Sequence, residues 1–346
     1  MRVLVTGGTG YVGAHSVKAL VDAGHDVQLL VRNAARIAET LAPLGVDRLD
    51  HVSGDMTDPR AVTDAMKGCD AVLHCAAVVS LARQRAAEVL AQNPEGTRIV
   101  LDAAVERGLD PIVHVSSVSA IFDPADRHGA RLVHRDSEIA DPGSAYGRSK
   151  AAAERHARAR QTEGAPVVIT YPAGVCGPAA GPLVGEIGES LRVMAASGIV
   201  PMRDSRTSYV DVRDVGLVHA AVMEPGRGPR RFVCGGHTIT TAELATDLRA
   251  LTGRPFPVIP IPGMVWRSAG RLVDLVQRAF PLDTVISQEA MTMATRWIGT
   301  DDRPTLAELG IRYRDLRDTI AETLRALRAT GRISGRQLGA LATEAR

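Results

Sequence analysis

Residues 3–13 read VLVTGGTGYVG, a short apolar run that leads into glycines at positions 7, 8, 10 and 13. The apolar run predicts a buried β-strand, and the residues after Gly10 predict the start of a helix. Glycines at 7, 10 and 13 permit a tight turn, close approach of the backbone to a pyrophosphate, and close packing of the helix on the sheet. Free N–H groups at the helix start attract anions. The stretch therefore predicts a phosphate-binding loop.

The same alternation of strand and helix continues along the first half of the chain. Short apolar runs bounded by Gly, Asp or Pro predict strands at residues 3–5, 27–31, 71–75, 112–116 and 167–171. Helical periodicity lies between them, at residues 13–23, 59–67, 95–107 and 145–163. Continuous apolar strands that alternate with helices predict an α/β fold with a Rossmann-type, doubly wound parallel sheet.

Composition changes after Tyr171 and suggests two parts. Residues 1–177 are predicted to form a nucleotide-binding domain, which residues 209–235 rejoin. Residues 178–208 and 236–335 are predicted to form a smaller, mostly helical part that binds the substrate. Residues 336–346 are expected to fray.

Residues 264–280 form an amphipathic helical pattern with Arg267, Arg271 and Arg278 interspersed. Packing on the core or on a dimer partner is the favoured interpretation. A lid over a bulky substrate and a membrane-surface helix are the alternatives.

Charge and cysteine content exclude several functions. The 346 residues carry a formal net charge of +2, which predicts no general attraction to nucleic acid or to anionic membranes. The four cysteines form no CxxC pair, so neither a metal site nor a disulfide framework is expected. The apolar run at residues 71–82 is too short to span a bilayer. We therefore expect a cytoplasmic protein without membrane contact.

Arg32 follows the second predicted strand, at the position that contacts the adenosine ribose in folds of this kind. An acid there favours NAD(H), whereas a guanidinium binds a 2′-phosphate bidentately. Arg36 lies one helical turn further. NADP(H) is therefore favoured, and NAD(H) stays possible. Asp55 and Met56 follow the third predicted strand and are candidates to contact the adenine.

Tyr146 and Lys150 lie four residues apart at the start of a predicted helix and therefore share one helical face. A lysine ammonium near a tyrosine favours the phenolate and lowers the pKa of the phenol. Three of the 41 basic residues are lysines, so a lysine at this position is informative. The strand at residues 112–116 ends in serines, whose hydroxyls could polarise a substrate carbonyl.

Together these motifs resemble the extended short-chain dehydrogenase/reductase family, of the NAD-dependent epimerase/dehydratase type. The resemblance rests on the phosphate loop, the acidic segment after the third strand and six further motifs. These are residues 74–77 (HCAA), 93–97 (NPEGT), 116–117 (SS), 146–150 (YGRSK), 172–178 (PAGVCGP) and 209–215 (YVDVRDV).

The resemblance implies a role for each matching residue. Tyr146 would be the general acid/base, Lys150 would hold the nicotinamide ribose, and Ser117, the second serine of its pair, would polarise the carbonyl. The predicted cofactor-binding residues are Gly7, Thr9, Gly10, Tyr11, Val12, Gly13, Arg32, Asp55, Met56, Ala76, Ala77, Lys150, Pro172 and Val175.

Departures from the family pattern favour the branch similar to dihydroflavonol reductase and 3β-hydroxysteroid dehydrogenase. No acidic pair follows Ser117, and residues 178–187 hold neither Asn nor a basic residue. The sequence thus predicts an oxidoreductase acting on a small, apolar carbonyl or alcohol. A nucleotide-sugar epimerase or dehydratase and a non-catalytic NADP(H) sensor are the alternatives, and a homodimer is plausible. Candidate walls of the substrate site are Leu81, Ile121, Phe122, Leu183, Ile187, Leu191 and Met194.

Overall fold

A computed structural model of the chain describes residues 1–79, 83–123, 132–201, 205–277, 280 and 287–342. Predicted positions such as Leu81 and Arg278 lie outside the described residues. Within the described ranges the strands are β1 (Arg2–Thr6), β2 (Asp26–Val31), β3 (Asp50–Ser53), β4 (Ala71–His74), β5 (Ile112–Val115), β6 (Val167–Pro172), β7 (Gly174–Cys176), β8 (Arg206–Asp211), β9 (Arg230–Cys234) and β10 (His237–Thr240).

Seven of these strands form one sheet in the order β3-β2-β1-β4-β5-β6-β9. Every neighbouring pair in it is parallel. The order reverses between β1 and β4, which is where ligands bind in open α/β sheets. The predicted Rossmann-type fold is confirmed.

The helices are α1 (Tyr11–Asp22), α2 (Ala35–Leu41), α3 (Pro59–Ala65), α4 (Ala86–Glu106), α5 (Ala145–Thr162), α6 (Gly185–Ser197), α7 (Val212–Ala221), α8 (Thr241–Thr252), α9 (Gly263–Val276), α10 (Gln288–Arg296), α11 (Arg303–Leu309), α12 (Leu316–Ala329) and α13 (Gly335–Leu338). Helices α1 and α7 pack together, and so do α4 and α5. The two pairs cover opposite faces of the large sheet.

Burial of β1 on both faces explains its continuous apolar sequence. Leu4 belongs to the core beneath α4 and α5, whereas Val3 and Val5 belong to the core beneath α1 and α7, and all three are fully buried. A strand covered on both sides has no polar face, as expected in a parallel sheet.

A second, smaller sheet has the order β10-β8-β7. A third apolar core lies beside it and draws on α6, α8 and α12. Strand β9 and helix α7 join the larger layer, whereas residues 209–211 of β8 lie in the small sheet.

The C-terminal segment corrects one expectation. Residues predicted to fray instead form α13 and a following 3₁₀ turn, Gly339–Ala342. Leu338 and Leu341 are buried in the third core. Two apolar side chains that fit this core hold the segment in place, so the predicted fraying does not extend over residues 336–342.

Among the described residues, no helix combines the length and the apolar composition needed to span a bilayer. In the same part of the chain, no group of three or more His, Cys, Asp or Glu side chains is arranged to hold a metal ion.

Replacing Leu341 by Ala should lower the free energy of unfolding by about 2–5 kcal/mol, because the change removes buried methyl groups and leaves a cavity. Urea unfolding measures the effect. The matched control is Leu217→Ala on α7, where the leucine is 40% exposed, and it should change stability by less than about 0.5 kcal/mol. Equal stability of the two variants would contradict the packed C-terminal segment.

Candidate active site

The phosphate loop between β1 and α1 depends on two glycines. Gly7 has a φ of +74°, and a Cβ built there would lie 2.6 Å from the backbone nitrogen of Ala76. A Cβ on Gly13 would lie 2.1 Å from the carbonyl oxygen of Gly7. Both contacts are far too short for any side chain, so the loop, α1 and the end of β4 approach each other only because these positions are glycine.

The start of α1 is open to an anion. The N-cap residue is Gly10, which has no side chain that could accept hydrogen bonds from the first N–H groups of the helix. Thr9 precedes this cap, and Tyr11 and Val12 form the first turn. The buried hydroxyl of Tyr11 has no hydrogen-bond partner among the described residues.

Two arginines lie near the ends of β1 and β2. The guanidinium of Arg32 is exposed and lies 3.8 Å from a carboxylate oxygen of Asp55. Arg36 donates to the carbonyl of Thr9 in the phosphate loop at 3.4 Å. Asp55 also accepts from the backbone N–H and the hydroxyl of Thr57 at 2.9 and 2.7 Å. These contacts place two positive charges beside the loop.

The remaining predicted cofactor residues lie mostly at the same edge of the large sheet. Ala76 and Ala77 follow β4, and Pro172 is the last residue of β6. Met56 follows β3, but its side chain is buried against Gly96 of α4. Val175 belongs to the small sheet, where it pairs with Val210.

Ser117 follows β5 and is nearly buried. Its hydroxyl caps a short 3₁₀ turn, Val118–Ala120, by accepting from the Ser119 N–H at 3.1 Å. Helix α5 begins opposite it, where the Ser144 hydroxyl accepts from the Gly147 N–H at 2.8 Å. This cap places Tyr146 in the first turn of α5, beside the end of β5.

Lys150 is buried, and its ammonium donates to the carbonyl of Val115 at 2.9 Å. Burial lowers the pKa of Lys150 from 10.5 to about 8, against the opposing influence of Cys75 and Glu154. The bond joins the second turn of α5 to the last residue of β5. The lysine therefore reaches the sheet edge at the point where Ser117 follows.

The surroundings of Tyr146 correct a second expectation. Burial raises the pKa of its phenol, and the negative charge of Glu186 raises it further. The neighbouring Ser117 hydroxyl lowers it. Lys150 was expected to lower this pKa but is not among the groups that shift it, and its ammonium donates to the Val115 carbonyl.

A chain of buried hydrogen bonds holds the elements around the site. Thr6 of β1 and Thr97 of α4 bond to the two ring nitrogens of His74 at 2.8 and 3.1 Å. Asn93 of α4 accepts from the Val78 N–H at 2.7 Å and donates to the Ser149 hydroxyl at 3.0 Å. The strand ends and the first turns of α5 are therefore fixed relative to each other.

Sequence reasoning missed Glu186 as a neighbour of the site. It lies in the first turn of α6, near enough to Tyr146 for its charge to shift the phenol's pKa. The sequence could have indicated it, because Glu186 is the one charged residue between positions 178 and 188. Cys75 follows β4 near the same edge, and burial raises the pKa of its thiol to about 11.

The candidate substrate walls divide between surface and core. Ile121 and Phe122 belong to the large core and Leu191 to the third core, and all three are buried. Ile187 and Met194 pack against that third core, and Leu183 is partly exposed. Leu81 lies outside the described residues.

A parallel sheet with a glycine loop after its first strand, and serine, tyrosine and lysine at neighbouring strand and helix ends, defines a class of NAD-binding oxidoreductase-type enzymes. The sequence model of the NAD dependent epimerase/dehydratase family matches residues 3–235. The chain belongs to this family.

Sequence relatives include reductases, and solved structures of the same fold include epimerases. The chain is 32% identical over 283 residues to sterol demethylase protein B of Methylococcus capsulatus, covering 81% of this chain and 83% of that protein. It is 28% identical to a putative dihydroflavonol 4-reductase of Synechocystis, covering 92% of each. The structure of a UDP-glucose-4-epimerase from Stenotrophomonas maltophila with bound NAD superposes with a TM-score of 0.75 at 22% identity, covering 96% of this chain and all of that one. These likenesses confirm the resemblance to the extended short-chain dehydrogenase/reductase family.

The buried ammonium of Lys150 predicts a pH-dependent stability. Between about pH 8 and 10.5 the lysine is neutral when folded and protonated when unfolded, so the unfolded state binds more protons and stability rises with pH. Below pH 8 the cost of burying the charge is fully present. Lys150→Met lacks this cost, so its stability relative to the unmodified protein should fall between pH 8 and 10.5.

Urea unfolding without cofactor at several pH values between 7 and 10.5 measures this difference. Lys18→Met is the matched control, because Lys18 is a surface residue paired with Asp22. Parallel pH profiles for Lys150→Met and the unmodified protein would show that the folded-state pKa of Lys150 is not lowered.

Proposed function

We propose that the protein is an NADP(H)-dependent oxidoreductase that interconverts a ketone or aldehyde and an alcohol on a small, apolar substrate. The observation that carries the proposal is the convergence of three elements at the carboxyl edge of the sheet: Ser117 follows β5, and Tyr146 and Lys150 lie in the first turns of α5, where the buried ammonium of Lys150 donates to the Val115 carbonyl. Two adjacent hydroxyls at this edge match the two needs of a reacting carbonyl oxygen, a hydrogen-bond donor and a proton donor.

The residues present fit a dinucleotide. The glycine loop leaves a cradle that a Cβ at position 7 or 13 would obstruct, and the α1 start offers free N–H groups to a pyrophosphate. The buried hydroxyls of Tyr11 and Ser116 lack hydrogen-bond partners within the described residues. Arg32, with Arg36 close by, would hold a 2′-phosphate. The nicotinamide, when bound, supplies or accepts the hydride.

Tyr146 would move the proton. Its raised pKa keeps the phenol protonated at neutral pH, which is the form that donates a proton to the carbonyl oxygen during reduction. In the oxidation direction the phenol would first lose its own proton to solvent, and the phenolate would then accept the alcohol proton. Ser117 would donate to the substrate oxygen and stabilise its growing negative charge.

Lys150 would act on the ribose and on the phenol. Its ammonium donates a hydrogen bond to the Val115 carbonyl, at the end of the strand that Ser117 follows. With three donors on a flexible stem it could keep this bond and donate to a ribose hydroxyl as well.

The charges near Tyr146 favour an uncharged substrate. Glu186 places a negative charge near Tyr146, and residues 178–187 contain no basic residue and no asparagine. A carboxylate repels the diphosphate of a sugar nucleotide, so it counts against the epimerase and dehydratase alternative. The names of the sterol demethylase and dihydroflavonol reductase relatives support redox chemistry on apolar molecules.

Tyr146→Phe should reduce turnover of a ketone or aldehyde substrate by about 100-fold or more, because it removes the proton donor. NADPH affinity, followed by nicotinamide fluorescence, should stay nearly unchanged. Tyr209→Phe is the matched control, since this buried tyrosine lies in the small sheet, and it should retain turnover. Full activity in Tyr146→Phe would refute the proposed mechanism, and no turnover in either protein would leave the NADP(H) sensor as the better description.

Arg32→Gln should weaken NADPH binding by about ten-fold or more, which is the loss expected for a charge-assisted bond to phosphate. NADH affinity should hardly change, because NADH lacks the 2′-phosphate. Arg107→Gln, an exposed arginine after α4, is the control. Tighter binding of NADH than NADPH by the unmodified protein would overturn the NADP(H) preference.

A further inference from the structure

Two charged side chains of α5 are buried, and their charges are opposite. Lys150 and Glu154 lie one helical turn apart on the face that α5 turns towards the large sheet, where they bond to β5 and β6 respectively. The residues between them, 151–153, are alanines. Side chains four positions apart on a helix have their Cβ atoms about 5–6 Å apart. Opposite charges at that spacing attract each other strongly in a region that excludes water.

Glu154 is fully buried, and its hydrogen bonds use one of its two carboxylate oxygens. Oε1 accepts from the Tyr171 hydroxyl and from Nε of Arg158, both at 2.7 Å. Oε2 is also buried but has no hydrogen-bond partner among the described residues. The Arg158 side chain is 20% exposed and that of Glu154 is 0% exposed, so water screens the guanidinium more than the carboxylate. The ion pair with Arg158 therefore leaves negative charge inside the protein, one turn from Lys150.

The other titratable groups that face Lys150 are neutral at neutral pH. They come from β4, β5 and α5, and they are His74, Cys75, His114 and Tyr146. Burial lowers the pKa of His74 to about 3, holds that of His114 well below its ordinary value, and raises the pKa of the Cys75 thiol to about 11. Burial likewise raises the pKa of the Tyr146 phenol.

Glu154 is thus the negative charge that favours the ammonium form of Lys150 at neutral pH. Burial lowers the pKa of Lys150, whereas Cys75 and Glu154 raise it, and the Cys75 thiol carries no charge below about pH 11. Glu186 of α6 shifts the pKa of Tyr146 but is not among the groups that shift that of Lys150.

We propose that Glu154 is a positioning residue of the candidate active site, whose buried carboxylate keeps Lys150 in the ammonium form at the end of β5. Without this carboxylate, the cost of burying a charge would favour the neutral amine. The consequence for catalysis rests on the proposed function, in which the ammonium holds the ribose and favours the phenolate. The relation between the two charges depends on neither substrate nor cofactor.

Titration of the lysines by NMR tests the proposal directly. The chain has three lysines, so labelling with ¹³Cε-lysine gives three signals, and Lys150→Met assigns one of them. Lys18 and Lys67, which pair with carboxylates on the surface, are internal references. In the cofactor-free full chain, Glu154→Gln should move the titration midpoint of Lys150 down by about one pH unit or more, since an opposite charge nearby has an effect of that size.

Two further variants separate charge from structure. Glu154→Asp keeps the charge and should leave the Lys150 midpoint close to that of the unmodified protein. A merely structural role predicts the reverse order, because Gln keeps the length of the side chain and an acceptor oxygen for Tyr171, whereas Asp is shorter. Asp102→Asn is the matched control and should not move the midpoint, since this carboxylate of α4 bonds to other side chains of α5, His156 and Arg160.

The proposal fails if Glu154→Gln leaves the Lys150 midpoint unchanged, or if Glu154→Asp shifts it as far as Glu154→Gln does. Should Glu154→Gln not fold, adding Lys150→Met should restore thermal unfolding, because it removes the uncompensated ammonium. A double variant that stays unfolded would also reject the proposal.

Activity provides a second readout. Turnover by Glu154→Gln should fall at neutral pH and recover as the pH is lowered towards the new midpoint of Lys150. A structural defect would instead lower turnover at every pH. Because the lysine titration needs no substrate, an absence of turnover in the unmodified protein would reject the proposed function, whereas an unshifted midpoint would reject the role of Glu154 alone.

Discussion

The close contact between the phosphate loop and the end of β4 is the constraint on which the site depends. The chain passes Ala76 at a distance that leaves no room for a Cβ on Gly7, and α1 begins so near Gly7 that Gly13 must also lack a side chain. The approach brings the open start of α1 to the point where the strand order reverses. An alanine at either glycine would push α1 away from the sheet and separate the anion-binding N–H groups from the strand ends.

Polar groups buried under that edge set the positions of the side chains in the candidate site. His74 is bonded on both ring nitrogens, and burial lowers its pKa to about 3, so it remains neutral and serves as a fixed link between β1 and α4. Lys150 is the charged member of this region, and the Val115 carbonyl is the partner that makes its burial tolerable. The arrangement holds an ammonium at the strand end with its pKa lowered to about 8, where a ribose hydroxyl could accept a further hydrogen bond from it.

The local parts of this architecture could be predicted from the sequence, and the long-range parts could not. Periodicity located the main strands and the starts of α1 and α5 to within a few residues, because each depends on its own apolar residues and caps. Helix α4 was predicted from residue 95 but begins at Ala86. Pro94, a residue type that normally interrupts a helix, lies inside it. Asn93 beside it bonds to Val78 and Ser149, partners supplied by distant segments. In the candidate site, Ser117, Tyr146 and Lys150 could be proposed from motifs, whereas the effect of Glu186 on Tyr146 depends on how α6 packs.

The charges around the candidate site have opposite signs at its two ends. Arg32 and Arg36 lie beside the phosphate loop, whereas Glu186 lies near Tyr146 and is the one charged residue between positions 178 and 188. Positive charge at the first end attracts the phosphates of a dinucleotide, and a carboxylate at the second end repels an anionic substrate. Under the proposed function both charges are needed, because the site would have to hold a charged cofactor at one end and admit an uncharged carbonyl or alcohol at the other.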